Sequence, residues 1–427
     1  MPAAGVRLGL RENLPQFSLL VAVNAFVGAM VGLERSTLPL IGRDDFGVDS
    51  SAALLSFIVA FGLVKALANL GAGALAERFG RRRLLVAGWA VALPVPLLIA
   101  LAPSWGWIVG ANVLLGVNQG LAWSMTVVMK IDLVGPRRRG FALGLNEAAG
   151  YGGVALAAGL TGFVAAEFAA RDVLVGLGAL IAWAGLLLSL LFIRDTAPHV
   201  ALEQAHNHAE AGNAPRLREA FAQATYRVAA LRSASQAGLV NNLNDGLAWG
   251  LVPLFLAANG AGVAEVGLVA AVYPGVWSVA QIATGAWSDV IGRKPLIAAG
   301  MVVQAAALTI LALSAGAILI AVAAAALLGL GTALVYPTLI AAISDAVSPL
   351  ARAPVIGVYR FWRDMGYALG ALIAGAAADA IGYSGAIAVV AGLTAGSGLW
   401  VLIDMPRVTT APRVSPRGCA STRTRGG

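Results

Sequence analysis

Long runs of predominantly apolar residues recur along this chain from Gln16 to Ile403. A helix of about 20 such residues crosses the hydrocarbon core of a bilayer. Because that core offers backbone groups no hydrogen-bonding partner, a chain with many such runs must satisfy them within helices. Only 12% of the residues are charged, whereas soluble domains average about 25%. The sequence therefore predicts an all-α integral membrane protein.

Twelve transmembrane helices are predicted, and an even number places both termini on the same side. They lie at roughly 16–38, 51–76, 84–102, 106–130, 141–165, 173–193, 234–258, 263–287, 295–314, 317–343, 355–378 and 384–403. Nearly all lysines and arginines between them, Lys130 included, fall on one side, and the opposite loops contain only Arg43 and Arg171. Since short positively charged loops stay in the cytoplasm, we predict a multi-pass plasma (inner) membrane protein with cytoplasmic termini.

Two short basic turns indicate an internal duplication. Residues 73–83 have the sequence GALAERFGRRR, and residues 285–295, which begin 212 positions later, have the sequence GAWSDVIGRKP. At an offset of 213, Asp132 matches Asp345, Pro136 matches Pro349, and Arg139 matches Arg352. A nearly constant offset over separate regions predicts two direct six-helix pseudo-repeats, related by an axis along the membrane normal.

The chain is accordingly divided into four parts. Residues 1–193 and 234–404 form the two six-helix bundles, 194–233 a cytoplasmic central loop, and 405–427 a cytoplasmic tail predicted to be disordered. The loop contains all three histidines, His199, His206 and His208, and then a segment with the periodicity of an amphipathic helix. A metal at the histidines is the alternative to a solvated linker. Since a solvated strip holds no preorganised ligands, no metal site is predicted.

The basic turn between spans two and three, its weaker copy, and six plus six spans around a long central loop resemble the major facilitator superfamily of secondary transporters. The resemblance covers roughly residues 16–403 and includes the start of span five, Arg139-Gly140-x-Ala142-x-Gly144. It implies alternating access, in which two bundles rock about a central site near the membrane midplane.

Three positions depart from the pattern of that family. Glu77 stands where the family usually has aspartate, and Asn112 where many proton-coupled members have arginine. Span five has Gly150-Tyr151-Gly152-Gly153 without the proline typical of drug antiporters. The last two departures weaken an assignment to multidrug–proton exchange.

A gate motif is predicted at the two basic turns. It comprises Gly73, Glu77, Arg78, Gly80, Arg81 and Arg82, together with Asp289, Gly292 and Arg293 in the second copy. Glycines permit close approach and a sharp turn, and Glu77 is expected to hold neighbouring arginines and favour one state of a cytoplasmic gate. The alternative is that the arginines only set topology and bind anionic headgroups of membrane lipid.

Eight charged residues fall within the predicted spans, and an unpaired one costs about 2.5–3.5 kcal/mol on insertion scales. They are Glu34, Arg35, Lys65, Glu147, Asp245, Arg360, Arg363 and Asp364. Glu34 and Arg35 lie near an outer span end, where they are expected to reach the interface. Arg360 and Asp364, four residues apart, can pair on one helix face. Lys65 and Asp245 lie near mid-span and Arg363 has no such local partner, so these three are the leading cavity candidates.

Polar and aromatic side chains accompany these charges at helical spacing. The predicted substrate cavity contains Lys65, Asn112, Gln119, Trp123, Tyr151, Asn241, Asn242, Trp249, Tyr273, Trp277, Arg360, Arg363 and Asp364. Aromatic stripes often serve packing alone, whereas each amide must find partners in a dry bundle. In the resembled family, spans one, four, seven and ten commonly line the cavity, which agrees with the asparagines of spans four and seven.

The leading functional hypothesis is proton-coupled export of a small solute, with Asp245, Glu147 and Glu34 as candidate proton carriers. Arg363 and Lys65 suit an organic anion, whereas Asp245 with Trp249 and Tyr151 suits a lipophilic cation; we favour the anion. The alternatives are a passive facilitator, with every charge held in a structural pair, and uptake of an organic anion.

Other classes of protein are not supported. No phosphate-cradling loop, metal-ligand cluster or nucleophile–base set stands out, so neither an enzyme nor a cofactor is predicted. The basic residues lie in short turns rather than on one soluble face, which argues against nucleic acid. The single cysteine, Cys419, excludes an internal disulfide framework. The expected partners are a small molecule, protons and membrane lipid, and the chain is expected to be a monomer.

Overall fold

The computed structural model describes residues 6–135, 139–206 and 215–406, which are almost entirely helical. The first half contains spans one to six, which are Leu14–Arg35, Ser56–Phe79, Arg81–Ala92 with Pro94–Ala100, Trp105–Asn118 with Gln119–Trp123 and Ser124–Val134, Arg139–Val164, and Ala170–Leu191. The second half contains spans seven to ten, Ala229–Ala258, Val263–Ile291, Arg293–Leu313 and Ile318–Ala346. Spans eleven and twelve form the single stretch Pro349–Asp404, which the left-handed backbone of Gly382 (φ 77°) divides in two.

Length and composition support the membrane assignment. Eight stretches are long and apolar enough to cross a membrane, one of which contains both spans eleven and twelve. Spans five and seven are also long enough, at 26 and 30 residues, and they carry Glu147 and Asp245. Large apolar side chains point outward along the bundle, among them Leu156, Phe163, Leu180, Leu191, Val290, Leu313 and Ile403. Apolar exposure of this extent suits a lipid-facing surface.

Span four extends further than the sequence pattern indicated. Its last helical segment continues to Val134, and the buried Lys130 donates a hydrogen bond to the Leu20 carbonyl at 3.1 Å. The prediction that Lys130 belongs to a basic loop is therefore wrong. Its ammonium is turned inward onto span one rather than outward to headgroups, so it adds a further buried charge to the bundle.

The two halves meet closely at one end of the molecule. We call the end with the two basic turns the basic end, and the other the opposite end. Toward the opposite end, a Cβ built on Gly162 of span five would lie 2.5 Å from the Cα of Gly267 in span eight. There Asp379 of span eleven also accepts hydrogen bonds from the Ser50 hydroxyl at 2.7 Å and the Ser51 backbone N–H at 2.6 Å. Backbone contact and a shared carboxylate therefore close the opposite end.

Three glycines toward the basic end have open space beside them. A Cβ built on Gly73 of span two, Gly144 of span five or Gly357 of span eleven would meet no atom of the described residues within 4 Å. Backbone contact of the kind made by Gly162 is therefore not found at these three positions.

Gly162→Val is expected to open the opposite end. A valine side chain would collide with the backbone of Gly267, which cannot move aside as a flexible side chain can. In a Cys419→Ser background, a cysteine replacing the buried Leu55 should react with a maleimide about tenfold faster when Gly162 is valine. Gly176→Val is the control, because a Cβ at Gly176 meets nothing within 4 Å. Equal labelling of both variants would contradict the expectation.

The connection between the halves is partly helical. Ala197–His206 and Leu217–Ala222 are helices, and a π-helical turn, Gln223–Arg227, follows. Span seven begins at Ala229, inside the segment predicted as loop, because only Val228 has extended backbone between the two. Burial lowers the pKa of His199, whose Nε2 lies 3.2 Å from the Asn13 side-chain oxygen. Outside the described residues lie the side chain of His206, residues 207–214 with His208, and the tail from residue 407 with Cys419.

Candidate transport site

A lysine lies in an aromatic cage between the two halves. Lys65 of span two is 4% exposed, and its Nζ lies 5.5, 5.2 and 4.8 Å from the ring centroids of Phe61, Trp123 and Tyr367. We call these three rings the aromatic cage. Within the described part of the chain, no hydrogen bond or ion pair reaches the ammonium. Cation–π contact contributes roughly 0.5–2 kcal/mol, but it leaves the positive charge unneutralised.

A chain of hydrogen bonds, which we call the polar ring because it begins and ends at the adjacent residues Trp123 and Ser124, lies toward the basic end from the cage. Its members are Asn69, Trp123, Ser124, Glu147, Tyr336, Arg363 and Asp364. On one side, Glu147 of span five accepts from Trp123 Nε1 at 3.0 Å and from the Tyr336 hydroxyl at 2.8 Å. Tyr336 belongs to span ten, so this carboxylate joins the two halves.

The other side of the ring is an ion pair. Arg363 Nε and Nη2 donate to Asp364 Oδ1 at 2.8 and 2.6 Å, and Arg363 also donates to the Tyr336 hydroxyl. Asp364 accepts in turn from Asn69 of span two, and the Ser124 hydroxyl donates to the Asn69 oxygen at 2.6 Å. The ring therefore crosses between the halves a second time, from span eleven to span two.

Two expected relationships in span eleven are wrong. Asp364 pairs with the adjacent Arg363 rather than with Arg360, and Arg363 is therefore not without a local partner. The nearest acid to Arg360 is Glu147, with Nη2 3.9 Å from Oε1. Helical spacing considers only residues one turn apart, whereas a long guanidinium side chain can fold back onto its neighbour or reach another helix.

Asp245 of span seven has a different environment from the acids of the ring. Its side chain is 0% exposed, Oδ1 accepts a hydrogen bond from the Tyr273 hydroxyl, and Oδ2 has no hydrogen-bond partner among the described residues. The Tyr273 oxygen lies 3.3 Å from the Thr332 hydroxyl. No cationic group of the described chain forms an ion pair with it, although Lys65, Arg363 and Arg35 are near enough to act electrostatically on its carboxyl group.

Glu34 and Arg35 are both buried, so the expectation that they reach the interface is wrong. The helix Leu38–Asp44 follows them at once and covers the end of span one. Glu34 lines a cavity inside the first half, between spans one, three and six. Arg35 turns toward spans two and seven, where its Cζ lies 4.9 Å from the ring centroids of Phe61 and Trp249.

The predicted amides serve mainly as links within one half. Gln304 of span nine donates to the Asn241 oxygen at 2.9 Å, and Asn241 donates to Asn242 at 3.3 Å. Gln119, in a π-helical turn of span four, donates to the Val27 carbonyl at 2.7 Å. Asn112 donates to Ile108 in its own helix at 3.2 Å. The contacts of Gln304 and Gln119 join two spans of one half, and the other two contacts lie within a single helix. None of these contacts brings the amides to the aromatic cage.

The predicted aromatic residues do come together. Tyr151 lies 3.5 Å from Trp277 and 5.3 Å from Trp123 between ring centroids, so spans four, five and eight meet there. Tyr273 stacks on Trp277 at 6.0 Å. Trp249 stacks on Tyr367 of the cage at 5.0 Å with an interplanar angle of 16°. Aromatic groups from both halves therefore continue from the cage to Asp245 and Arg35.

The two basic turns are each held by an aspartate from a different span. Arg81 pairs with Asp132 of span four at 2.7 Å, and Arg293 pairs with Asp345 of span ten at 3.0 Å, which repeats the same contact in the second half. Glu77 and Arg78 are exposed, and the expected pairing of Glu77 with nearby arginines is not found among the described residues. The Arg82 N–H donates to Asp195 at 3.0 Å. The side chain of Asp289 lies outside the described part.

Gly80 and Gly292 make the sharp turns themselves, with φ of 89° and 98°, values that glycine adopts readily. Five residues of the site were not among the predicted cavity residues: Phe61, Asn69, Ser124, Tyr336 and Tyr367. Three of them could have been found from helical spacing, because Phe61 and Asn69 lie four residues before and after Lys65, and Tyr367 lies four residues after Arg363. Tyr336 has no charged residue at such a spacing in its own helix.

A family model described as "Major Facilitator Superfamily" matches residues 17–235 and again residues 234–424. The chain belongs to the Major Facilitator Superfamily. Its fold is similar to the crystal structure of the human organic anion transporter MFSD10 (TETRAN), with a TM-score of 0.68 over 91% of this chain and 99% of that chain. The two sequences are 15% identical, so this likeness concerns the fold.

The double match confirms the predicted family and the fold of two helical repeats. This protein is therefore a multi-pass membrane transporter of the superfamily, and its substrate is a small molecule. The aromatic cage and the polar ring lie where spans two, four, five, ten and eleven of the two repeats meet. In a transporter built from two rocking bundles, that position suits a substrate site.

Proposed function

We propose that this superfamily transporter moves a small organic anion across the plasma membrane by proton-coupled alternating access, in the direction of export. The observation that carries the proposal is the unneutralised ammonium of Lys65 in the aromatic cage between the halves. A positive charge buried without a counter-ion is costly, and a bound anion would remove that cost. The fold shared with a protein described as an organic anion transporter supports the same substrate class.

Asp245 is the leading proton carrier in this proposal. A negative charge on this carboxyl group would be buried with one hydrogen bond and no counter-ion. Taking up a proton would remove that charge, so protonation and movement of the halves can be linked. Glu147 is the second candidate, because the carboxylate that joins the halves at Tyr336 would lose acceptor capacity when protonated. Glu34 is the third.

We infer the orientation and the direction from the charges and from the open space at the basic end. The basic end would face the cytoplasm, since positively charged loops are retained there. The open space beside Gly73, Gly144 and Gly357 at that end is compatible with entry of substrate from the cytoplasm and hence with export. We further propose that the transporter works as a monomer, with exposed arginines such as Arg78 against anionic headgroups of membrane lipid.

Asp245→Asn is expected to uncouple the transporter. In proteoliposomes with an internal pH probe, the wild type should move protons when an organic anion is supplied and accumulate that anion under an imposed proton gradient. The variant should still equilibrate the anion but fail to accumulate it, because an amide cannot exchange a proton. Glu167→Gln is the matched control, since Glu167 is an exposed acid outside the site.

Two other results would change the proposal. If Asp245→Asn, Glu147→Gln and Glu34→Gln each leave accumulation intact, proton coupling through these acids is wrong. If the wild type shows saturable equilibration of the anion without proton movement, the protein is a passive facilitator.

A further inference from the structure

Arg35 is a second cation at this site that has no hydrogen bond or ion pair among the described residues. We propose that Arg35 and Lys65 together bind a compact organic dianion, so that each cation receives one anionic group of the substrate. This inference rests on the proposed transport of an organic anion and specifies the charge of that anion. It also adds to the site a residue from span one.

The first argument is the environment of the Arg35 guanidinium. The side chain is 0% exposed, and none of its three nitrogens has a hydrogen-bond partner among the described residues. Its Cζ lies 5.7 Å from the ring centroid of Phe57, in addition to its contacts with Phe61 and Trp249. Aromatic faces attract the charge but accept none of the five N–H groups in the way an oxygen does.

Arg363 shows what a neutralised arginine looks like in the same bundle. It is equally buried, yet it donates to Asp364 through two nitrogens and to Tyr336 through a third. Arg35 has the same donor fork and no acceptor. A planar fork of donors matches the two oxygens of a carboxylate or phosphate. The unused donors of Arg35 are therefore suited to an anionic group supplied by a ligand.

The second argument is that the two free cations share one ring. Arg35 Cζ and Lys65 Nζ lie 4.9 and 5.5 Å from the centroid of Phe61. They are therefore no more than about 10 Å apart, a separation that the two charged groups of a small ligand can span. The ring also offers an apolar face to the body of such a ligand.

The third argument is the balance of buried positive and negative charges in this part of the molecule. Asp364 neutralises Arg363, and Glu147 is the nearest acid to Arg360. Glu34 lines the cavity between spans one, three and six and forms no ion pair with Arg35, although it acts on Arg35 electrostatically. When Asp245 is protonated, Arg35 and Lys65 are two positive charges around the ring of Phe61. In a medium of low dielectric, two negative charges on the substrate would balance them best.

The experiment compares diacids with their monoesters in proteoliposomes that contain the full-length protein. The probes are benzene-1,4-dicarboxylate and butanedioate, each paired with its monomethyl ester, which keeps the body and removes one negative charge. The wild type is expected to move at least one diacid with a kcat/KM about tenfold or more above that of its ester. Arg35→Gln should reduce the diacid to the rate of the ester and change the ester by less than about twofold.

Two further variants separate binding from folding. Arg35→Lys keeps the positive charge and loses the planar set of guanidinium donors, so it should retain an intermediate preference for the diacid. Arg171→Gln is the matched control, because Arg171 pairs with Asp45 at 2.9 Å at the opposite end, outside the site; it should keep the full preference. Thermal unfolding of each purified variant shows whether it is folded. If Arg35→Gln does not fold, Arg35→Lys decides, since an unchanged preference in that variant would overturn the inference.

The inference and the proposed function can fail separately. If the esters are transported at the same rate as the diacids and Arg35→Gln behaves like the wild type, the inference of a dianionic substrate is wrong. The proposed transport of an organic anion would still be supported. A preference for the diacid that survives in Arg35→Gln also overturns the role of Arg35. If no anion of the panel is moved or accumulated, both the inference and the proposed anion transport are contradicted.

Discussion

Lys65→Gln is expected to reduce organic-anion transport by about 30-fold or more in kcat/KM. Truncating one partner of a desolvated charge pair costs about 2–5 kcal/mol, and each 1.4 kcal/mol corresponds to a factor of ten. The loss should fall on anions and leave the fold intact, because the ammonium makes only cation–π contacts with the aromatic cage among the described residues.

The same substitution should not lower stability. Removing a buried charge that has no counter-ion relieves a desolvation cost, so the melting temperature of purified Lys65→Gln should equal or exceed that of the wild type. Loss of a binding group with a gain in stability is typical of residues kept for function. Lys294→Gln is the control, since Lys294 lies at the basic end and is partly exposed.

Initial rates of anion uptake in proteoliposomes, together with thermal unfolding in detergent, test both parts of this prediction. Transport that survives in Lys65→Gln would remove the observation on which anion transport is proposed. A large drop in melting temperature would instead mean that the caged ammonium is a structural cation.

Asp364→Asn is expected to destabilise the protein by about 3–5 kcal/mol, the cost of leaving one member of a buried ion pair uncompensated. The amide keeps the shape of the side chain and its acceptor for Asn69, so the change removes chiefly the negative charge that neutralises Arg363. The double variant Arg363→Met/Asp364→Leu should recover much of the loss, because it removes both charges together.

Asp245→Asn is the matched comparison for this effect. It makes the same chemical change at an equally buried aspartate, but Asp245 has no ion-pair partner among the described residues. We expect it to cost less than about 1 kcal/mol, or to stabilise the protein, since no cation of the described residues forms an ion pair with that carboxylate. Thermal and chemical unfolding of the purified variants measures the difference. Equal destabilisation by the two substitutions would mean that the ion pair of Arg363 with Asp364 contributes no more to stability than a buried carboxylate without an ion pair.

Lys65 and Asp245 illustrate which parts of the candidate site could be predicted from the sequence. Both were singled out because a charge at mid-span is costly and needs a reason, and both are buried between or within the halves. The aromatic residues Trp123, Tyr151 and Trp277 followed from helical spacing, and their rings do lie together. Their roles in transport stay predictions.

The partners of the charges could not be predicted in this way. Helical spacing suggested Arg360 with Asp364 and left Arg363 alone, whereas Arg363 forms the ion pair. Glu147 is held by Tyr336, which is 189 positions away in the chain. Arg35 was expected at an interface because it ends a span, but the short helix that follows it and the rings of Phe57, Phe61 and Trp249 bury it.

Apolar length and a regular offset between repeats are properties of the linear chain, so the residue order alone was enough to establish a membrane protein of two six-helix repeats and its superfamily. Eight of the costly intramembrane charges could be located in the same manner, but the buried Lys130 could not. Whether a charge is neutralised depends instead on the distances between helices of different repeats and on the direction each side chain takes. Side-chain direction pairs Arg363 with its neighbour Asp364, and distances between the repeats join Glu147 to Tyr336. Lys65 and Arg35 are left without an ion pair among the described residues, and for that reason only the packed bundle distinguishes charges that stabilise the fold from charges available to a substrate.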